Sequence, residues 1–446
     1  MPHRHPSLLA APPPAAGRQW LTNARLFDGT GAAVRERAGV LVADGLISRV
    51  GDAADAAPEG AEVLDLGGRM LIPGLINIHV HAQGREPHPE HGAEAILPGT
   101  AAHFLQDGLR DTLRMGATTL RNVGGQRREP QEARQAMRYG AFRGPRLLTC
   151  GLIISATAPG GRFYGAMYRE ADGPDEIRKA VREQLREGAD FIKVMTTGAR
   201  SNELEDPEPT QLTEAELTAA VEESHRMGVK VAAHAEGLLG TMAAIEHGMD
   251  TIEHGMYLNQ RPDLLERMAA RGQVLVPTLS GYYWMAGLGE AIDPAQATPS
   301  PDMLPALVDL AHHNLNEGTR SMRAARDAGV KIAVGSDRDG LRGNDTALEL
   351  VRMVHHGLSP AEALRSATGV AADAIGLQSH IGTVQPGRLA DLVVLDGDVV
   401  REPELLLDRR RIWLVLQLGQ PVGGAALEAP GTPPAGHGRD VVDSPA

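Results

Sequence analysis

From Leu75 onward the chain repeats one unit, a short apolar run followed by a helix-length amphipathic stretch. Such repetition restricts a chain to parallel strands joined by crossover helices, in an open doubly wound sheet or a closed barrel. The runs are "LINIHVH", "TTLRNV", "RLLTCG", "DFIKVMT", "KVAAHA", "DTIEHG", "VLVPTL" and "KIAVGSD", eight in all. Eight strand–helix units over about 300 residues predict a (β/α)8 TIM barrel with insertions. On either side the rhythm changes. "WLTNARLFDG", "GVLVADGLISRVG" and "AEVLDLGGRMLIPG" before it, and "GTVQPGRLADLVVLDG" and "IWLVLQLGQPV" after it, read as short strands punctuated by glycine. The expected fold is therefore α/β: a barrel over 74–384, flanked by a small β-sandwich built from the N- and C-terminal segments, 19–73 and 385–425. Residues 1–18 and 426–446, rich in Ala, Pro and Gly, are expected to be disordered. The segment 284–304, with three prolines, is a plausible lid over the mouth.

Composition narrows the class of function. A formal net charge of −13, without clustered Lys and Arg, argues against nucleic-acid and anionic-membrane surfaces. No run approaches the roughly eighteen apolar residues of a membrane span. The start, "MPHRHPSLLAAPPPAAG", offers only "LLAA" before three prolines, too short for a signal peptide. One cysteine, Cys150, cannot form an internal disulfide. A cytoplasmic protein acting on a small molecule is the expectation.

In a parallel barrel the C-terminal strand ends converge on one mouth, so polar residues closing the runs are the candidates for chemistry. His79 and His81 close the first. At period two they face the same way, and one metal ion can take a nitrogen from each. Alone, such a pair is more often a polar strand terminus than a ligand pair. Lys193 lies inside an apolar strand, where an ammonium is costly. It is either salt-bridged to a neighbouring carboxylate or converted by carbon dioxide to a carbamate able to bridge two cations. His234 and His254 end two further strands, and Asp337 ends the last. Glu-His-Gly occurs twice, but His247 falls in a helix-like stretch whereas His254 closes a strand, which favours His254. Four imidazoles, a lysine and a carboxylate at one rim point to metal binding more than to unrelated core polar groups. His88 and His91, in the loop after the first strand, and His312, His313, His355 and His356, in helix-like stretches, are expected to be solvated. The glycines of "GLLGT" lack the lysine and context of a phosphate loop.

With these residues the chain resembles the amidohydrolase superfamily, most of all its imidazolonepropionase-related and Xaa-Pro dipeptidase (prolidase-type) branch. "LIPGLINIHVH", "GATTLRNVGG", "ADFIKVMTTGA", "VAAHAEG", "TIEHGMYL", "VGSDRDG", "LSPAEALRSATGVAADAIGL" and "GTVQPGRLADLVVLDGD" carry the likeness, which runs from Leu21 to about Val422. The resemblance implies two divalent ions, with His79, His81 and Asp337 on the first, His234 and His254 on the second, and a carboxylated Lys193 between them. Zinc suits this nitrogen and oxygen set, and manganese or cobalt is admitted. Two such ions about 3.5–4 Å apart lower the pKa of a shared water and polarise a carbonyl. Asp337 is then the proton shuttle to the leaving nitrogen.

The implied reaction is hydrolysis of a C–N amide bond in a dipeptide or N-acyl amino acid, with a cyclic amide, lactone or ester as the alternative. Tyr257 resembles the family's substrate-facing tyrosine, the other reading being a packing residue under the lid. Arg162, in "SATAPGGRFYG" where relatives often carry "TGGHG", is either the substrate-carboxylate anchor or a solvated loop residue. Arg338, in "GSDRDG", implies a narrower or more cationic pocket. Relatives frequently self-associate, so a homo-oligomer is expected. A non-catalytic scaffold would lack several ligand positions, and all six are present.

Overall fold

Residues 75–80, LINIHV, are buried at every position, as suits a parallel strand covered on both faces. The structure, a computed structural model, describes residues 17–83, 97–200, 204–297, 299, 305–338 and 341–428. Each of the eight expected runs contains a strand: β6 (Leu75–Val80), β7 (Ala117–Asn122), β8 (Arg146–Thr149), β11 (Ile192–Met195), β12 (Val231–Ala235), β13 (Thr251–His254), β14 (Val274–Val276) and β15 (Lys331–Ile332). Two three-residue strands, β9 (Ile153–Ser155) and β10 (Tyr168–Glu170), are added in the connection after β8.

Among the described residues these strands form two parallel sheets, β6-β7-β8 and β10-β9-β11-β12-β13-β14-β15, and not one closed ladder. Backbone hydrogen bonds nevertheless cross between the two sheets. The amide of Ile78 donates to the Val334 carbonyl at 2.9 Å, and that of Asp190 to the Thr149 carbonyl at 2.8 Å. The ladder between β6 and β15 is interrupted for a visible reason. The amides of Ile76 and Val334 donate instead to the carbonyls of Ala367 and Ser366, at the end of helix Pro360–Ser366.

The flanking unit is split along the chain, as expected. Its strands are β1 (Arg18–Leu26), β2 (Arg35–Ala43), β3 (Leu46–Asp52), β4 (Ala61–Asp65) and β5 (Met70–Pro73) with β16 (Leu392–Leu395), β17 (Ile412–Gln417) and β18 (Gln420–Gly423). They make one branched sheet, β18-β17-β16-β5-β1-β2-β3, with β4 also paired to β1. β5 lies between β1 and β16, so the two chain ends share one core in which Leu21, Val40, Leu71, Val394 and Leu416 are buried. A buried ion pair, Arg146 of β8 with Asp391 at 2.8 Å, ties this sheet to the parallel strands.

The termini and most of the loop after β6, with His88 and His91, lie outside the described residues, as do 298 and 300–304 of the expected lid. The described part of that lid has one turn of 3-10 helix, Pro294–Gln296, after helix Leu279–Met285. No helix among the described residues is long and apolar enough to cross a membrane.

Candidate metal centre

The six strand-end candidates divide into two touching groups and one isolated amine. In the first group Asp337 Oδ1 lies 3.2 Å from His79 Nε2 and 3.1 Å from His81 Nε2, so two imidazoles share one carboxylate oxygen. In the second, His254 Nε2 is 2.9 Å from His234 Nδ1. The groups adjoin, with Asp337 Oδ2 3.8 Å from His254 Nδ1. Donor atoms of His79, His254 and Asp337 all fall within 4.8 Å of one another. Lys193 is 2% exposed and its Nζ has no hydrogen-bond partner. His247 stays away from this cluster, its Nδ1 on the Ala243 carbonyl of its own helix.

Two of the imidazoles are held with Nε2 turned to the site. His79 Nδ1 lies 2.7 Å from Glu253 Oε2, and His81 Nδ1 2.9 Å from the Gly124 carbonyl. A carboxylate and a carbonyl only accept, so Nδ1 carries the proton and the Nε2 lone pair is left for an ion. His254 Nδ1 contacts the Thr278 hydroxyl at 2.7 Å. Burial, and then the neighbouring His234, push His254 down to about 3, which keeps it in the neutral form that binds metals. For Asp337 burial opposes the charge, but the adjoining His79, His81 and His254 outweigh it and hold the carboxyl well below its usual range. Burial lowers the Lys193 amine, against the pull of Glu253 and Asp337. The free amine is the form that captures carbon dioxide, and an unpartnered buried nitrogen is a cost that a carbamate would remove. The donor set of His79, His254 and Asp337 therefore fits a divalent cation.

Backbone strain is concentrated here. His254 (φ +69°), Tyr257 (+64°), Thr278 (+50°) and Asp337 (+47°) are all left-handed, a conformation that costs about 1–3 kcal/mol per residue and persists where surroundings impose it. Gly335 lets the last run pass beneath the first, since a Cβ there would fall 2.5 Å from His79 Cβ.

The substrate-facing candidates are more dispersed. Tyr257 is half-buried, with its hydroxyl 3.1 Å from Nε2 of His313, which is exposed on its helix, as expected. Arg162 is exposed on helix Pro159–Tyr164. Arg338 is buried and paired with Asp345 at 2.9 Å, so its guanidinium is committed within the fold. His356 is likewise buried, its Nε2 2.8 Å from the Tyr283 hydroxyl.

Sequence reasoning missed four residues. Glu253 and Arg121 form a fully buried pair at 2.7 Å, and Arg121 also donates to the Ile78 carbonyl and Thr251. Glu236 accepts from the Tyr282 hydroxyl at 3.0 Å and lies 3.4 Å from His234 Nε2. Arg200, paired with Glu208, lies over the Tyr257 ring at 5.5 Å. For the first two the signal was available, because a charge inside an apolar run is what singled out Lys193.

Residues 70–422 match the model of the amidohydrolase family. Ochratoxinase of Aspergillus niger is 30% identical over 441 residues, covering 92% of this chain and 87% of that protein. Imidazolonepropionase of Paracoccus denitrificans is 27% identical over 414 residues, covering 84% and 90%. A crystal structure of a Xaa-Pro dipeptidase with bound methionine in the active site is similar at a TM-score of 0.80 and 25% identity, covering 91% of this chain and all of that one.

Proposed function

The chain belongs to the amidohydrolase family, as its resemblance implied, and is a metal-dependent hydrolase of carbon–nitrogen bonds; from that premise we propose that it is a binuclear enzyme cleaving the amide bond of a dipeptide or N-acyl amino acid. On this reading the two parallel sheets are arcs of one (β/α)8 barrel, a view supported by the backbone bonds that join them, Ile78 with Val334 and Asp190 with Thr149. His79, His81 and Asp337 would hold one ion, His234 and His254 the other, and Lys193, as its carbamate, would serve both. Zinc is the ion proposed. The ions supply Lewis-acid activation of water and of the amide carbonyl.

The chain's own residues do the rest. Asp337 is the base, its carboxyl ionised and its Oδ1 placed beside the donor nitrogens of His79 and His81. It returns that proton to the leaving nitrogen. Glu253 and Gly124 fix the imidazoles of the first group, so the donor atoms need not reorganise during the reaction. Tyr257, with Arg200 against its ring and His313 on its hydroxyl, offers donors at the mouth for a substrate carboxylate.

The observation that carries the reading is the buried, unpartnered Lys193 nitrogen, within the electrostatic reach of Asp337 and Glu253, together with the converging donor atoms of His79, His254 and Asp337. Protein loaded with zinc in bicarbonate should contain two metals per chain and hydrolyse members of a dipeptide and N-acyl amino acid panel. Lys193→Ala should lose metal and activity together. Metal-replete protein inert across that panel, but active on cyclic amides, lactones or aryl esters, would replace this substrate class with the alternative one.

A further inference from the structure

Glu349 lies in the middle of helix Asp345–His355, fully buried, and the chemistry above makes no use of it. Its two oxygens accept the backbone amides of Leu279 at 2.9 Å and Ser280 at 2.7 Å. These are the first two residues of helix Leu279–Met285, so both carboxyl oxygens are committed to backbone donors of one turn. The residue just before them is Thr278, at φ +50° and ψ +44°. A β-branched residue rarely adopts that conformation unless its neighbours are held. Thr278 in turn places its hydroxyl 2.7 Å from His254 Nδ1. The same turn reaches the other group, for a Cβ at Gly281 would lie 3.0 Å from the Asp337 carbonyl oxygen.

Glu349 does not act alone on its helix. Asp345, Glu349 and Arg352, spaced i, i+4 and i+7, share one face. Asp345 holds Arg338, the neighbour of Asp337, at 2.9 Å, and Arg352 holds the carbonyls of Gly289 at 2.7 Å and Ala291 at 2.9 Å. One helix thus anchors three segments at the mouth, and the central anchor is the one that leads to a strand-end histidine.

We propose that Glu349 is a positioning residue of the metal centre: by fixing the amides of Leu279 and Ser280 it holds Thr278 in its left-handed turn, and so orients His254 for the ion that His254 shares with His234. The proposal rests on the reading of His254 as a ligand. Glu349→Gln retains the shape but turns an NH2 group toward one of the two backbone donors, so the turn loses one anchor and Thr278 its constraint.

The experiment uses the full chain, wild type and Glu349→Gln, with zinc as the probe, competed against a chelator. The variant should hold one of its two ions about tenfold more weakly, within the range typical of residues that orient ligands. Imidazole nitrogen NMR of the zinc-free proteins supplies a readout independent of metal. The His254 resonances should shift in the variant while those of His79 stay in place. Thr278→Val should reproduce both effects, and adding it to Glu349→Gln should add little. Unchanged His254 resonances, or fully additive losses, would overturn the proposal. Wild type that binds no zinc would instead overturn the metal reading, and the NMR comparison would still decide the role of Glu349. If Glu349→Gln does not fold, Glu349→Asp, which retracts both acceptors by one methylene, takes its place in the same comparisons.

Discussion

At the scale of single residues, the site depends on groups that touch no ion. Glu253 binds His79 with one oxygen and Arg121 with the other, at 2.7 Å each. Glu253→Gln should weaken metal affinity by about 10- to 100-fold, because the amide no longer enforces one His79 tautomer; equilibrium dialysis against zinc checks this, and wild-type affinity would refute it. Arg121→Met should be costlier to the fold, about 3–5 kcal/mol, because it leaves the Glu253 carboxylate buried without its partner. Urea denaturation measures that loss. Gly335→Ala should also disturb His79, whose Cβ leaves no room for another methyl. The four histidines and Asp337 were legible in the sequence because each closes an apolar run, and Lys193 because it breaks one. Their supports were not sought, although Arg121 and Glu253 break apolar runs just as Lys193 does. Gly124 and Thr278 could not be read at all, since a backbone carbonyl and a strained turn leave no compositional trace.

At the scale of elements, helices and strands are fastened by local devices that can be tested separately. Helix Glu214–Arg226 begins with a capping box in which Thr213 and Glu216 satisfy each other's amides, so Thr213→Ala should cost about 1 kcal/mol by thermal or urea unfolding. Near its other end His225 Nε2 meets Asp250 Oδ2 at 2.8 Å, and the same oxygen accepts the Val231 amide of β12. The Asp250 hydrogen bond raises His225 above its ordinary 6.5, so this contribution is full below 6.5 and fades as pH rises through the folded-state value. Asp250 is held below its ordinary 3.8, because His225 and Lys230 outweigh the opposing effect of burial. Its contribution is present above 3.8 and fades as pH falls through the lower folded-state value. His225→Ala should therefore destabilise the protein more at about pH 5.5 than at about pH 8.5. Equal losses at both would show that the pair is not coupled to folding. Element by element, the long buried runs announced themselves, whereas β9 and β10 did not, because three residues carry no readable periodicity.

At the scale of the whole molecule, the order of elements was legible and their pairing was less so. Both chain ends were expected in one β-unit, and they meet there through β5 and β16. That β1 serves three neighbours, and that the carbonyls of Ser366 and Ala367 take amides between β6 and the last run, depends on contacts far apart in sequence. Asp391→Ala should loosen the flanking sheet from the parallel strands by about 3–5 kcal/mol, since it strands a buried Arg146, and a lowered urea midpoint would register it. The interrupted ladder also has a mechanical meaning. His79 and His81 arrive on the three-stranded sheet, whereas Lys193, His234 and His254 arrive on the seven-stranded one, so ions gripped by both would rivet a seam that the backbone has left sparsely stitched. Stripping them should raise amide exchange first along that seam, at Ile78 and Ser336, well before the flanking sheet begins to open.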